Sequence, residues 1–405
     1  MSTDLAKNIF NGDTSLNTTL NVSGTTSLGA DVTTSGTQTY TGAVTLSASP
    51  TLTTTANTIT FSSTVNAVDA TDRDLTFGTG TGTVTFTGAV GTTFNLGTIT
   101  NVASQQLTFS DAVTATTIAN YGTLLFQAST DKTVTPNITD NGTTVIQVIN
   151  SADGAPGIIT FSGNVAADTI TIGTTTNAGS ALFNGTILKG SETTNVNIVG
   201  GNVSGEASLG NFANTVTVTA ISLDNNTSTA TVTFSGATKT IIGTINGAAA
   251  GEGTIIVSGT PTFTGIIGGT QRPAQLTING ATTFQDAVLT TLLTTTAAIS
   301  NGTTLNVSGA LSCCSDVGGN PPFIEFEFLI PSALSIIAFD KANFSINLSI
   351  LYFFFRCLWV NVKRWFFCWC CWLFLWWLRC LRVIIKLGVY NNTNHTFISI
   401  KIITR

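Results

Sequence analysis

Over most of its length the chain alternates apolar and polar residues in short runs separated by turn residues. One run reads Thr-Val-Thr-Phe86-Thr-Gly-Ala-Val, in which the apolar residues before the turn stand at every second position. Such alternation predicts a β-strand with one buried face, and the Thr-Gly pair after it predicts a turn. We therefore expect an all-β body whose Phe, Val, Ile and Leu side chains face inward and whose Thr, Ser and Asn side chains face outward.

The run recurs along residues 1–312 with an aromatic side chain at the same place in each copy. Successive aromatics lie 21 to 29 residues apart, except for one interval of 52 that contains a weaker copy around Phe126. A unit this short cannot close its own core and must bury its apolar face against the next unit. The repeat predicts a β-solenoid of two or three strands per coil; about a dozen coils at roughly 4.8 Å each would form a rod about 60 Å long. The aromatics are Tyr40, Phe61, Phe86, Phe109, Phe161, Phe183, Phe212, Phe234, Phe263 and Phe284.

Charge and cysteine usage divide the chain into a body, residues 1–312, and a tail, residues 313–405. The body has six Lys and Arg residues against sixteen Asp and Glu, a net charge of −10, whereas the tail has nine against four, a net charge of +5. All seven cysteines and all six tryptophans lie in the tail. An acidic body lacks the basic surface that nucleic-acid binding requires, so we expect no nucleic-acid partner.

The tail is aromatic, Cys-rich and basic, and two interpretations of it are open. Its most apolar stretch, residues 365–378, is 14 residues long, whereas a spanning helix needs about 20, so one interpretation is membrane contact through residues 323–390 without a clean span. The other is out-of-frame translation, because Trp and Cys codons read in another frame or on the opposite strand encode Gly, Val, Thr and Asn. Alternating segments at residues 343–350 and 397–402 predict strands.

The closest acidic cluster of the body surrounds Arg73 and consists of Asp69, Asp72 and Asp74. Two of these carboxylates could serve a glycosidase, and the cluster has the spacing of a weak calcium site. We interpret it instead as a polar turn between coils, because Asp side chains readily bond nearby backbone groups.

No other part of the sequence contains a stronger candidate for a catalytic or ligand-binding site. The body contains neither His nor Cys, which excludes Ser-His-Asp and Cys-His catalysis and His- or Cys-ligated metals there. Residues 79–83, Thr-Gly-Thr-Gly-Thr, are interpreted as a turn rather than a phosphate loop, and His395 as an ordinary surface histidine. We expect no catalytic, cofactor-binding or metal-ligating residue, no cofactor and no small-molecule ligand.

The segment Gly-Thr-Gln-Thr-Tyr40-Thr-Gly-Ala-Val-Thr-Leu resembles repeats of filamentous-haemagglutinin-type exoproteins and autotransporter passengers. The strand Thr-Phe161-Ser-Gly-Asn-Val resembles passengers of rickettsial surface cell antigens. The resemblance covers about residues 15–312 and implies a right-handed parallel β-helix, export through a β-barrel, and adhesion or host contact. The sequence departs from that family in showing neither a signal peptide at its start nor a translocator at its end, which suggests a fragment of a larger gene.

Taken together, these features predict a non-enzymatic adhesin or surface-layer structural protein, located at the cell surface or outer membrane or secreted. The expected partners are molecules on host cells or neighbouring cells, engaged by many weak contacts. Three alternatives stay open: a β-helix enzyme acting on polysaccharide, a tail-anchored membrane protein, and an array of small β-sandwiches of about 80–100 residues each.

Overall fold

The computed structural model of the chain consists of strands and turns. It describes residues 2–5, 8–150, 157–189, 194–203, 206–297 and 299–301, and beyond these the strands Leu305–Val307, Leu311–Cys313, Ile324–Phe326, Ile337–Asp340, Asn343–Ile346, Ile384–Asn392 and His395–Ile403. The part of the chain so described contains no α-helix. The predicted all-β class is therefore confirmed.

Three short parallel strands make up each coil, one on each of three faces of the stack. The chain passes from face 1 to face 2 to face 3 and then returns to face 1 of the next coil. Each strand pairs in parallel with the equivalent strands of the coils before and after it; Phe61 of face 1, for example, lies between Tyr40 and Phe86. The result is a β-solenoid of about 12 coils, which at roughly 4.8 Å per coil is about 60 Å long.

The strands group by face. Face 1 consists of Ser2–Leu5, Thr19–Val22, Gln38–Tyr40, Ile59–Phe61, Val84–Phe86, Gln106–Phe109, Thr123–Gln127, Val145–Ile149, Thr169–Ile172, Asn195–Val199, Val288–Thr290, Leu305–Val307 and Ile324–Phe326. Face 2 consists of Asn8–Phe10, Thr26–Leu28, Val44–Leu46, Val65–Ala67, Lys132–Val134, Ile158–Phe161, Ser180–Phe183, Ser208–Phe212, Ala230–Phe234, Thr254–Val257, Gln275–Ile278, Leu292–Thr295 and Leu311–Cys313, with the bridge residues Val90 and Val113. Face 3 consists of Thr14–Leu16, Val32–Thr34, Thr51–Thr54, Leu75–Phe77, Leu96–Thr100, Ala115–Asn120, Asn137–Asp140, Val165–Ala167, Ile187–Lys189, Thr260–Phe263, Thr282–Phe284 and Ile299–Asn301.

Two longer strands, Val216–Asp224 and Ala237–Gly247, run through the corner from face 3 to face 1. Their register shifts between Thr217 and Ala220, so the corner is bridged by an irregular strand instead of a separate turn. This continuity joins faces 1 and 3 into one hydrogen-bonded sheet in this part of the stack.

Aromatic rings stack along the core as a continuous column, which we call the ring ladder. Each of eleven successive coils contributes one ring, and neighbouring centroids lie 4.8 to 5.8 Å apart. Aliphatic side chains fill the inward positions around the rings. The ladder rings are Tyr40, Phe61, Phe86, Phe109, Phe126, Phe161, Phe183, Phe212, Phe234, Phe263 and Phe284, all of them buried.

The ring ladder changes face twice. It runs on face 1 as far as Phe126, continues on face 2 from Phe161, and moves to face 3 at Phe263. At both changes the two rings meet edge to face, at 88° and 90°, whereas all other neighbouring rings of the ladder are stacked. When the ring leaves face 1, Val148 takes the inward position above Phe126. The core thus keeps one ladder ring per layer although the ring moves between strands.

Glycine permits close stacking of the turns that follow the aromatic strands. A Cβ atom built on Gly185 would lie 2.0 Å from the carbonyl oxygen of Gly163 in the coil below. No side chain tolerates that approach to a backbone atom, so only glycine fits at this position. The Phe-x-Gly motif therefore allows one turn to pack closely on the next.

The predicted stack of about a dozen coils, with two or three strands per coil and inward apolar residues, is confirmed, and each coil has three strands. Continuous parallel pairing between coils shows that the β-sandwich array was wrong. In the tail, Asn343–Ile346 and His395–Ile403 form strands as predicted and pair antiparallel to each other. Residues 365–378 lie outside the described residues. The right-handed sense of the coil and the boundary at residue 313 stay predictions.

Candidate functional surfaces

A regular block of hydroxyl side chains covers the outside of face 1 over three successive coils. We call it the threonine grid; its members are Thr37, Thr39, Thr41, Thr58, Thr60, Ser62, Thr83, Thr85 and Thr87. The middle column is in register, because Thr39 pairs with Thr60 and Thr60 with Thr85. The flanking columns follow from the same pleat, in which every second side chain points outward.

Backbone hydrogen bonds hold the outer columns of the threonine grid in line. The Ser62 N–H donates to the Tyr40 carbonyl and the Thr87 N–H to the Phe61 carbonyl, both at 2.9 Å. On the other side, the Gln38 N–H donates to the Thr58 carbonyl at 3.1 Å. All nine side chains are exposed or partly exposed, and within the described chain none of their hydroxyl groups makes a hydrogen bond. The grid is therefore an uncharged surface whose hydroxyls are available to solvent.

The ring ladder lies directly beneath the threonine grid, because Tyr40, Phe61 and Phe86 alternate with the grid residues on the same strands. Their ring centroids are 5.2 and 4.9 Å apart, and their planes diverge by only 10° and 7°. Near-parallel rings at an even spacing are expected where strands have little of the twist usual in open sheets. The ring geometry therefore favours a flat grid.

Other parts of the outer surface are less uniform. The outward column of face 1 changes from Thr108 to Leu125 and Gln147. Face 3 exposes the apolar side chains of Leu188 and Ile242, at 44% and 42%. The prediction of an outer surface of Thr, Ser and Asn is confirmed for the first coils of face 1 and is wrong at these positions.

The acidic cluster around Arg73 is built into the turn structure. Asp69 accepts a hydrogen bond from the Thr71 N–H at 2.9 Å and lies 3.5 Å from the Arg73 guanidinium. The hydrogen bonds from Thr71, together with the charge of Arg73, lower the pKa of Asp69. Asp74 accepts a hydrogen bond from the Thr98 N–H of the next coil at 2.6 Å. These contacts are those expected of a polar turn, with the side chains bonded to backbone.

The same kind of contact recurs at the corners of other coils. Asp31 accepts a hydrogen bond from the Thr51 N–H at 2.7 Å, and Asn164 accepts one from the Thr186 N–H at 3.0 Å. Each joins a side chain of one coil to the backbone of the next. Buried or partly buried backbone donors need such partners where strands end. The short polar side chains therefore stabilise the stack of turns.

An ion pair also joins two coils at the end of a ladder strand. The Lys132 Nζ lies 2.8 Å from Asp111 Oδ1, which also accepts a hydrogen bond from the Ala112 N–H at 2.7 Å. Partial burial opposes ionisation of Asp111, but the hydrogen bonds from Lys132 and Ala112 and the charge of Lys132 outweigh it, so its pKa is lowered. Both side chains remain partly exposed.

A fully buried polar group lies beneath the threonine grid at the start of the ring ladder. The Tyr40 hydroxyl donates to Gln38 Oε1 at 2.9 Å, and Gln38 Nε2 donates to the carbonyls of Val32 and Thr53 at 3.1 and 2.9 Å. Burial raises the pKa of Tyr40, so its hydroxyl stays protonated and keeps this bond. The network connects faces 1 and 3 inside the coil, which the sequence alone did not reveal.

The backbone is described at the two remaining candidates, residues 79–83 and His395. Residues 79–83 include a turn with Gly80 at φ +85°, as predicted, and the backbone of His395 pairs with that of Asn392 at the start of a tail strand. In the described ranges, no three His, Cys, Asp or Glu side chains come together in a way that would hold a metal ion. The same ranges include no helix whose length and apolar character would let it cross a membrane.

Comparison with protein families, with curated proteins and with solved structures finds no match to this chain.

Proposed function

We propose that the chain is a non-enzymatic cell-surface protein that acts as an adhesin or as a structural component of a surface layer. The observation that carries this proposal is the stack of about 12 coils with parallel, in-register strands on three faces. Such a stack presents similar polar positions again and again along a rod about 60 Å long. A long repeating surface suits contact with other surfaces better than it suits enclosure of one small molecule, since small-molecule sites are typically concave.

The mechanism would be geometric. Each outward column contributes shallow contacts of Thr, Ser and Asn side chains, each of which is weak. When several coils, or several copies of the chain, engage one surface together, the effective concentration of the remaining contacts rises and the summed affinity exceeds that of any single contact. Rigidity helps, because a stack already ordered by its core loses little conformational entropy on binding.

The partners we propose are molecules on host cells or neighbouring cells, with the chain at the cell surface, at the outer membrane or secreted. The net charge of −10 on residues 1–312 disfavours nucleic acids and other polyanions. The uncharged threonine grid and the similar Thr and Asn positions elsewhere would contact neutral surfaces. The resemblance of the repeats to exported passenger domains supports the same assignment.

The experiment compares attachment at different display densities. Beads coated with the full chain at rising density are expected to bind cells with a steep dependence on density, because multivalent contact grows faster than the number of copies. A matched control carries Phe86→Asp, which places a charge in the core and should unfold the coils without removing any surface threonine. Attachment no better than that of this control, or than that of an unrelated protein of equal charge, would remove the proposal.

The same preparation separates adhesion from catalysis. When the full chain is incubated with neutral and acidic polysaccharides, we expect no new polysaccharide ends to form. Cleavage that disappears with Asp72→Asn would favour the polysaccharide-active alternative over the adhesin.

A further inference from the structure

We propose that the threonine grid on face 1 is an ice-binding surface. The proposal is independent of the adhesive function, which concerns the rod as a whole, and it rests on the grid's nine hydroxyl side chains. Three properties of the grid support it: its repeat distances, the chemistry of its side chains and its flatness.

The repeat distances come from the sheet itself. Neighbouring strands are roughly 4.8 Å apart, and outward side chains of one strand are about 6.6–6.8 Å apart, two residues along the strand. The ring centroids beneath the grid, 5.2 and 4.9 Å apart, follow the same spacing. Distances near these recur between oxygen atoms on the surfaces of ice. A hydroxyl grid with this rectangular repeat can therefore order water at positions that continue an ice lattice.

The side chains have suitable chemistry. Each threonine combines one hydroxyl, which both donates and accepts hydrogen bonds, with a methyl group that cannot. In the described structure the hydroxyls have no protein partner that would compete with ordered water. β-Branching restricts rotation about χ1, so the hydroxyls lose little freedom when water is ordered on them. Immobilising the first layer of water on these hydroxyls costs little entropy per water molecule.

Flatness follows from the core. Tyr40, Phe61 and Phe86 are held within 10° of parallel by stacking, and they stand on the strands that carry Thr39, Thr60 and Thr85. An ice surface is itself flat and rigid, so a twisted or mobile sheet would contact it at only a few points. The ring ladder thus makes the grid a rigid template.

Other ligands fit the grid less well. It has no charged side chain for nucleic acid and no aromatic side chain on which a sugar or base could stack. It has no concavity lined by large apolar groups, as a peptide or lipid site would. The grid is about 10 Å by 13 Å. On the next coil Thr108 is buried and its hydroxyl accepts a hydrogen bond from Gln106 Nε2 at 3.0 Å, so the grid ends at the strand that carries Thr85.

The test uses the full chain and two matched variants. Thr60→Tyr places a bulky ring at the centre of the grid, and Thr233→Tyr makes the same change before Phe234 on face 2, where the neighbouring column positions are Asn211 and Ile256. Tyrosine suits strands, so both variants should fold, which circular dichroism and thermal melting would check. Growth of ice crystals in a frozen solution is then measured against protein concentration.

The wild-type chain and Thr233→Tyr are expected to inhibit recrystallisation at the same concentration, whereas Thr60→Tyr should need about tenfold more protein or lose the effect. A wild-type chain without effect overturns the proposal, as does equal activity of all three proteins or an equal loss in both variants. If Thr60→Tyr does not fold, Thr85→Tyr takes its place under the same criteria. Attachment to cells is measured above the freezing point, so failure here leaves the adhesive function standing and the reverse also holds.

Discussion

Phe86 provides the strongest test of the ring ladder. It contacts three rings: Phe61 at 4.9 Å and 7°, Phe109 at 5.0 Å and 4°, and Phe77 at 6.0 Å and 68°. Replacing it with leucine keeps most of the apolar volume, which alone costs less than about 1.5 kcal/mol. Each lost ring contact adds about 0.5–1.5 kcal/mol. We therefore expect Phe86→Leu to lower the free energy of opening of its coils by about 1.5–6 kcal/mol.

A double-mutant cycle isolates the contribution of stacking. Phe61→Leu and Phe86→Leu remove a shared contact, so their effects should differ from additivity by about 0.5–1.5 kcal/mol. Phe61→Leu and Phe109→Leu are separated by one ring and should be additive within about 0.5 kcal/mol. A coupling of zero in the first pair, or an equal coupling in both, would refute the idea that ring contacts stabilise the stack beyond simple burial.

The assay must report local opening, because a stack of repeats need not unfold in one step. Native-state hydrogen exchange of the amides of Phe61, Phe86 and Phe109 gives the opening free energy coil by coil. Amides of the distant strand Gln275–Ile278 serve as the internal control. The hydrogen-exchange protection of these control amides should stay unchanged, while the protection of amides around the substituted residue should fall.

Two further predictions concern the contacts between turns. Gly185→Ala should destabilise the stack by about 1–3 kcal/mol in urea unfolding, because its Cβ would meet the Gly163 carbonyl oxygen at 2.0 Å, whereas Gly142→Ala, with its nearest atom at 3.9 Å, should be close to neutral. Asp111→Asn should cost about 0.2–1 kcal/mol at pH 7 by removing the ion pair with Lys132, and less in high salt. Because the pKa of Asp111 is lowered in the folded state, this stabilisation is present above the ordinary carboxyl pKa of about 3.9 and is lost as pH falls through the folded value. Wild type and variant should then melt at the same temperature near pH 2, and a difference that persists there would contradict the assignment.

The strand pattern was predictable because alternation and turn residues are local signals. In Thr-Val-Thr-Phe86-Thr-Gly-Ala-Val the buried positions, the strand end and the turn all follow from short-range rules. The repeat period then implied stacking, since no single unit can bury its own apolar face. These inferences needed no knowledge of distant contacts.

The change of face by the ring ladder was not predicted. Phe126 and Phe161 are 35 residues apart in sequence yet adjacent in space, because the ring moves from face 1 to face 2 between one coil and the next. The interval of 35 residues exceeds the 17 to 29 residues that separate the other neighbouring rings of the ladder, because it adds the passage from face 1 to face 2 to one full coil. The spacing of the aromatic residues alone could not reveal the change of face, because loops of variable length also alter the spacing.

The threonine grid was foreseen only in general terms. Outward Thr side chains follow from alternation, but the register that aligns Thr39, Thr60 and Thr85 depends on loops of different lengths between them. Likewise, the buried Gln38 stood at an inward position where the pattern called for an apolar side chain. Its partner Tyr40 lies two residues along the same strand, whereas the Thr53 carbonyl becomes a neighbour only when the coil closes.

Distances between spin labels on face 1 test the stacking of coils most directly. With the native cysteines replaced by serine, labels at Thr39 and Gln147 are five coils apart, and labels at Thr39 and Ser222 are eight coils apart. At roughly 4.8 Å per coil, narrow distributions near 24 Å and 38 Å are expected once the reach of the label is subtracted. Broad distributions, or distances that do not grow in proportion to the number of coils, would contradict a single rod of stacked coils.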